Sequence, residues 1–233
     1  VLNTIFEKIY GKSPYKSPTD MGVNMAGNCI SDDQVCRDAS CQEILRRYYA
    51  SLNSLLKGNC MEEETQKLEL LMNQAGITTA DRKVVAAALV RAEQTGAPAA
   101  ALELPDGQMI TGKTSSLLGA SAALLLNAIK ELAGQPHDLD ILSPESIEPI
   151  QKLKVDYLKS KNPRLHTDEV LIALSASAAT SQDARLALEQ LPALEGCQAH
   201  TSVMLSDVDI KIFKKLGVQL TCEAVYEAGS RYH

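Results

Sequence analysis

The sequence predicts an α/β (α+β) protein, a helical N-terminal segment followed by a three-layer α/β/α sandwich on a mixed sheet. Three observations lead there. Residues 197–205 and 218–224 alternate apolar and polar with period two and flank a capped helix, which reads as a parallel βαβ unit. Asp106-Gly107 sits between two short apolar runs, a strong hairpin signal. Residues 115–133 form a helix that is apolar nearly all round, and such a helix belongs inside a core.

The elements follow in order. Residues 31–57 open with Ser31-Asp32-Asp33, an acid-first helix start, and carry a second capping signal at Ser40-Cys41-Gln42-Glu43, so two helices with a bend are expected. Residues 61–73 begin with Glu62-Glu63-Glu64 and stop before Gly76. Thr78 to Asp81 caps the next helix, which ends near Gly96. The hairpin takes Ala99 to Leu104 and Gln108 to Thr111, and Gly134 with Pro136 ends the apolar helix. Asp138 to Leu142 is expected as a brief strand. A helix follows with Pro144 in its first turn, reaching about Ser160. Helices over 168–178 and 182–190 precede the βαβ unit, whose helix starts at Ser206 with acids first and lysines last. The division expected is a helical segment over 1–77, with a long Pro/Gly loop, and an α/β sandwich over 78–233.

Composition narrows function. The 233 residues are 45% hydrophobic and 22% charged, with 29 acids against 23 bases for a net charge of −6. The charges are interspersed and Trp is absent, so neither a phosphate-backbone stripe nor a stacking platform exists, and nucleic acid is not expected as a partner. The longest charge-free stretch, Thr114 to Ile129, is shorter than the roughly 20 apolar residues of a membrane helix, so no membrane is expected either. The six cysteines form neither a Cys-x-x-Cys pair nor a zinc spacing. They read as reduced thiols of a cytoplasmic protein, with no metal site.

Three places carry candidate chemistry. Gly107 to Thr114 matches the phosphate-loop pattern GxxxxGK[ST]. The hairpin reading of Asp106-Gly107 competes with it, leaving Lys113, Thr114, Ser115 and Ser116 as anion binders at a helix start. The polar stretch from Lys12 to Asn28, punctuated by Pro14, Pro18, Gly22 and Gly27, offers Lys12, Lys16, Ser17, Thr19, Asp20 and Asn24 as a lid, or else is a surface strap. His200 lies on the polar side of one strand, facing Gln219, Thr221 and Glu223 of the next. His200 with Glu223 is a candidate acid–base pair, against the alternative of an edge strand wetted on one side.

Four stretches carry a resemblance: KSPYKSPTDMGVNMAG from Lys12, residues 103–134, Pro163-Arg164-Leu165, and Gly196 to Glu223. They resemble the bacterial domain of unknown function 1846 family along essentially the whole chain. One departure is Ala224, where members usually carry Pro after the Cys-Glu pair. Members are about twice as long, which the resemblance implies makes this chain their C-terminal half. It places a glycine-rich GPGSGK stretch, and with it any ATP, in the missing N-terminal half, with no cofactor in this chain. Some members carry a peptidase label, but this sequence has no HExxH or other protease motif. The resemblance further implies a cytidine-deaminase-like topology, while the zinc signature of those enzymes is absent. Two functions are therefore expected. One is binding or conversion of a phosphorylated or nucleotide-like small molecule. The alternative is a non-catalytic assembly module whose small-residue helices, near Ala86–Ala88 and Ser175–Ala179, pack against further copies in a homo-oligomer or against the protein's own N-terminal half.

Overall fold

The computed structural model describes residues 2–11 and 32–227. The elements are α1 (Leu2–Tyr10), α2 (Asp33–Leu56), α3 (Glu62–Ala75), α4 (Lys83–Thr95), β1 (Ala99–Glu103), β2 (Met109–Lys113), α5 (Ala120–Leu132), α6 (Pro144–Lys152), α7 (Thr167–Ser177), α8 (Gln182–Leu188), β3 (Gln198–Thr201), α9 (Asp207–Lys215) and β4 (Gln219–Cys222). Among the described residues, no helix is long and apolar enough to cross a membrane.

The four strands form one mixed sheet in the order β2-β1-β3-β4. β1 runs antiparallel to both neighbours, and β3 pairs parallel with β4 through the α9 crossover. The register aligns Ala101, His200 and Thr221 across the sheet, with Ala100, Leu102 and Ala199 pointing to the opposite face. That opposite face holds the main core, where the three residues join Leu124, Leu125 and Ile129 of α5, Leu174 of α7 and Phe213 of α9, all fully buried. The other face is covered by α4, through Val84, Val85 and Ala88, and by α2 over β4.

Gly112 sets how closely α5 lies on β2. A Cβ there would come 2.2 Å from the Leu124 backbone nitrogen, so only glycine permits this approach. At the hairpin, Gly107 takes φ +87 and donates its N–H to the Leu104 carbonyl, and Lys113 is the last residue of β2. Residues 109–113 are therefore strand, and the phosphate-loop alternative is excluded.

Several expectations are corrected. Residues 33–56 are one helix, because Asp32 caps it and the Ser40 hydroxyl bonds back to the Cys36 carbonyl instead of opening a new start. The Thr78–Asp81 capping box closes only a single 3₁₀ turn, and Arg82 then takes an extended conformation before α4 begins. The apolar helix starts at Ala120, not near 115, because the Ser115 hydroxyl accepts the Leu117 and Leu118 N–H groups and closes a turn. Asp138 to Leu142 is not a strand. The Lys130 ammonium draws in the carbonyls of His137 and Leu139, and that segment turns while Ile141 and Leu142 enter the core. The βαβ strands are shorter than their alternation, because the chain leaves the sheet at Ser202 and after Cys222.

Candidate functional site at the end of the third strand

Beyond the carboxyl end of β3 lies a cavity of about 40 Å³, walled by Val203–Leu205, the first turn of α5 (Gly119–Ser121), the loop bearing Asn162, Arg164 and His166, and by Thr114, Asp209 and Glu227. Ligands of open α/β sheets bind outside the carboxyl ends of the strands.

Local sequence places each wall. Gly119 caps α5 without a side chain, and the amides of Ala120, Ser121 and Ala122 meet no acceptor among the described residues. Ser121 is 2% exposed, and its hydroxyl also has no hydrogen-bond partner among the described residues. The Leu165 loop is zipped to the α5 entrance, with Leu165 N–H donating to Leu117 O (2.9 Å) and Gly119 N–H to Leu165 O (3.3 Å). The buried Lys154 ammonium grips both ends of that loop, donating to the Arg164 carbonyl (2.6 Å) and to Glu169 Oε2 (2.7 Å), which also accepts the His166 N–H.

Asp209, in the first turn of α9, is the electrostatic centre. Its Oδ1 accepts the Thr167 N–H and hydroxyl, both at 2.9 Å, and its Oδ2 faces His166 Nδ1 at 3.0 Å and accepts the Ser206 hydroxyl at 2.7 Å. Burial pushes the carboxyl upward, but the bonds from His166, Ser206 and the Thr167 N–H outweigh it and bring it down to about 2. The hydrogen bond to Asp209 raises His166, against the pull of its own burial. Asp209 thus fixes the proton on Nδ1 and leaves Nε2, which bonds to no described residue, as the working nitrogen. Across the cavity, Arg164 Nη1 pairs with Glu227 Oε1 at 2.5 Å. The arrangement is an anion-accepting helix end with a guanidinium and an oriented imidazole beside it.

On the opposite face of the sheet, His200 is fully buried. Its Nε2 lies 3.1 Å from Glu223 Oε1, its Nδ1 2.8 Å from Thr221 Oγ1, and its ring 4.9 Å from that of Tyr49. Burial lowers its pKa, opposed by the Glu223 hydrogen bond. A neutral imidazole facing a carboxylate carries its proton on Nε2, so Thr221 donates to Nδ1 and receives the Arg82 Nε–H (2.9 Å). Arg82 is 1% exposed and meets only neutral acceptors: Thr221, the side chains of Gln42 and Gln198, and the carbonyls of Ala199 and Gln219. Burial pulls its pKa down to about 10. The wetted edge strand is corrected: β3 is central and buried from Ala199 to Thr201, and its Gln198 side chain accepts from Arg82.

The predicted residues separate. His200 and Glu223 meet. Thr114 lines the cavity, Lys113 ends β2 with its side chain exposed, Ser115 closes a turn, and Ser116 offers its carbonyl to Gln151. Lys113 and Glu223 sit at opposite edges of the sheet, roughly 14 Å apart by strand spacing, so these residues share no crevice. Lys12, Lys16, Ser17, Thr19, Asp20 and Asn24 lie outside the described residues, as does Cys29. The other five cysteines are free thiols.

Sequence reading assigned no chemistry to Ser121, Arg164 or His166, took Asp209 for a helix-dipole acid, and passed over Arg82. One signal was available: His166-Thr167-Asp168-Glu169 has capping-box spacing, which ends the Arg164 loop at a helix start.

The family model described as domain of unknown function DUF1846, N-terminal, matches residues 1–76, and that described as domain of unknown function DUF1846, C-terminal, matches residues 80–232. The chain belongs to the DUF1846 family. Reading it as C-terminal material alone is thereby corrected, since its first 76 residues match the N-terminal model. A UPF0371 protein of Corynebacterium urealyticum is 58% identical over 226 residues, covering 97% of this chain and 46% of the relative. One from Corynebacterium efficiens is 54% identical, and one from Streptococcus thermophilus 49% identical, each over 232 residues, 100% of this chain and 47% of the relative. The chain thus spans about half the length of these DUF1846 relatives.

Proposed function

We propose that this chain binds a phosphorylated small molecule at the carboxyl end of β3 and that His166, oriented by Asp209, exchanges a proton with it. The observation that carries this reading is the buried first turn of α5. There the Ser121 hydroxyl and three amides have no partner among the described residues, beside the Arg164 guanidinium. Donors at a helix start have no intrahelical acceptor, and together with the guanidinium they suit the oxygens of an anionic ligand. In this reading Arg164 and the α5 amides hold the anion, Ser121 donates to it, and His166 Nε2 faces the group that gains or loses a proton. Thr114 borders the site. His200 and Glu223 serve as positioning residues for the segment after β4. We also infer the cytidine-deaminase-like topology, which the hairpin-first order β2-β1-β3-β4 supports.

The experiment is calorimetric titration with inorganic phosphate and a sugar-phosphate panel. Wild type is expected to bind, and Arg164→Ala and Ser121→Ala to bind about tenfold or more weakly, a loss near 1.4 kcal/mol. Binding that survives in both variants, or that follows Lys113→Ala instead, contradicts the assignment.

A further inference from the structure

We infer that the Glu227 carboxylate competes with the ligand's anionic group for Arg164, so that residues 224–227 form a gate that the ligand displaces. This rests on the phosphate-site reading above and names its regulation. Four observations converge on it.

First, the Arg164–Glu227 pair is partly wetted, with 34% and 22% of the side chains exposed. A pair of that kind is weakly held and exchanges readily. Second, Glu227 is itself one wall of the cavity, alongside Ser121 and His166. Its carboxylate therefore occupies Arg164 at the place an anion would take, while the remaining walls belong to α5, the Lys154-braced loop, α9, Thr114 and Val203–Leu205. Third, the segment is lightly attached. Beyond Glu223 its one backbone hydrogen bond among the described residues runs from Met204 N–H to Val225 O, while Val225 and Tyr226 are 55% and 40% exposed. Its root is firm by comparison, for Glu223 N–H donates to Thr201 O at 2.9 Å and the Glu223 carboxylate receives His200 Nε2–H. The structure thus has a fixed hinge at Glu223 and a loose tip at Glu227. Fourth, the charges require exchange, not addition. Two anions on one partly desolvated guanidinium repel each other, and Asp209 already contributes a negative charge nearby. The ligand's group therefore replaces the Glu227 carboxylate on Arg164.

The test titrates wild type and Glu227→Gln with inorganic phosphate and follows the Met204 amide, which donates to the Val225 carbonyl, by hydrogen exchange. Glutamine keeps the size and one acceptor of the side chain but not its charge. Glu227→Gln is expected to bind phosphate about tenfold more tightly, since it no longer occupies the guanidinium with a charge. In wild type, saturating phosphate is expected to speed exchange at Met204, whose amide loses its acceptor when the segment leaves. Equal affinities in the two proteins, or Met204 exchange unchanged by phosphate, would overturn the gate and leave the phosphate site standing. No binding by either protein overturns both readings.

Discussion

His166 Nδ1 lies 3.0 Å from Asp209 Oδ2, and that buried carboxylate accepts three further bonds from Ser206 and Thr167. It is one charge satisfied by two helix starts, since Thr167 begins α7 and Ser206 caps α9. The pair therefore joins the acid–base group to the framework.

Asp209→Asn is expected to lower the His166 pKa, read from its imidazole NMR titration, and to destabilise the fold by about 2 kcal/mol at pH 6, given a carboxyl brought down to about 2. The sign follows from linkage. A depressed carboxyl stabilises the fold above its unfolded pKa near 4, and that contribution disappears as pH falls through about 2. Wild type and variant should converge in urea midpoint on acidification over that window, and an unmoved His166 titration would contradict the geometry.

His200 works in the opposite direction. Its folded pKa lies below the ordinary 6.5, so below that pH the unfolded chain takes up a proton that the folded chain refuses. Stability then falls as pH drops from 7.5 to 5.5. His200→Gln, with no titrating ring, should show a flatter slope of urea midpoint against pH than wild type, and identical slopes would refute the buried neutral state.

Arg82 is held by five neutral acceptors drawn from α2, β3 and β4. Arg82→Met should cost roughly 3 kcal/mol or more, because it leaves several of those acceptors buried and unpaired. Arg82→Lys should fall between methionine and wild type, since an ammonium cannot fork toward Thr221 and Gln198 together. Urea denaturation reads both, and a methionine variant as stable as wild type would show that the network carries no net stability.

Gly112→Ala tests the contact between α5 and β2. With a Cβ 2.2 Å from the Leu124 nitrogen, the helix must shift bodily, at a cost of about 1–3 kcal/mol. Differential scanning calorimetry should show the loss, together with a weaker response to phosphate, because α5 carries Ser121. An unchanged melting temperature would mean that α5 tolerates displacement.

Most helix positions were legible because their signals are local. Glu62 to Gly76 and Ser206 to Gly217 carry their own caps and charges, and both helices stand where those signals put them. The start of α5 was less legible, since the Ser115 turn and the Leu118–Leu165 pairing cut off its first five expected residues. The expected strand at Asp138 failed for a similar reason, because only the folded structure brings the Lys130 ammonium to that segment.

By itself the sequence determined the mixed α/β class, the hairpin at Asp106-Gly107, the βαβ unit at the end and the meeting of His200 with Glu223, all of which follow from period, capping and turn chemistry along short stretches. Only the tertiary structure decided where the candidate site lies. Ser121, the Arg164–His166 loop, Asp209 and Glu227 come from four separate segments, and no periodicity connects them. Their shared property is unfinished or charge-assisted hydrogen bonding in one small space. Hydrogen-bond satisfaction belongs to the packed arrangement of the chain, so it becomes visible only when distant segments are in contact.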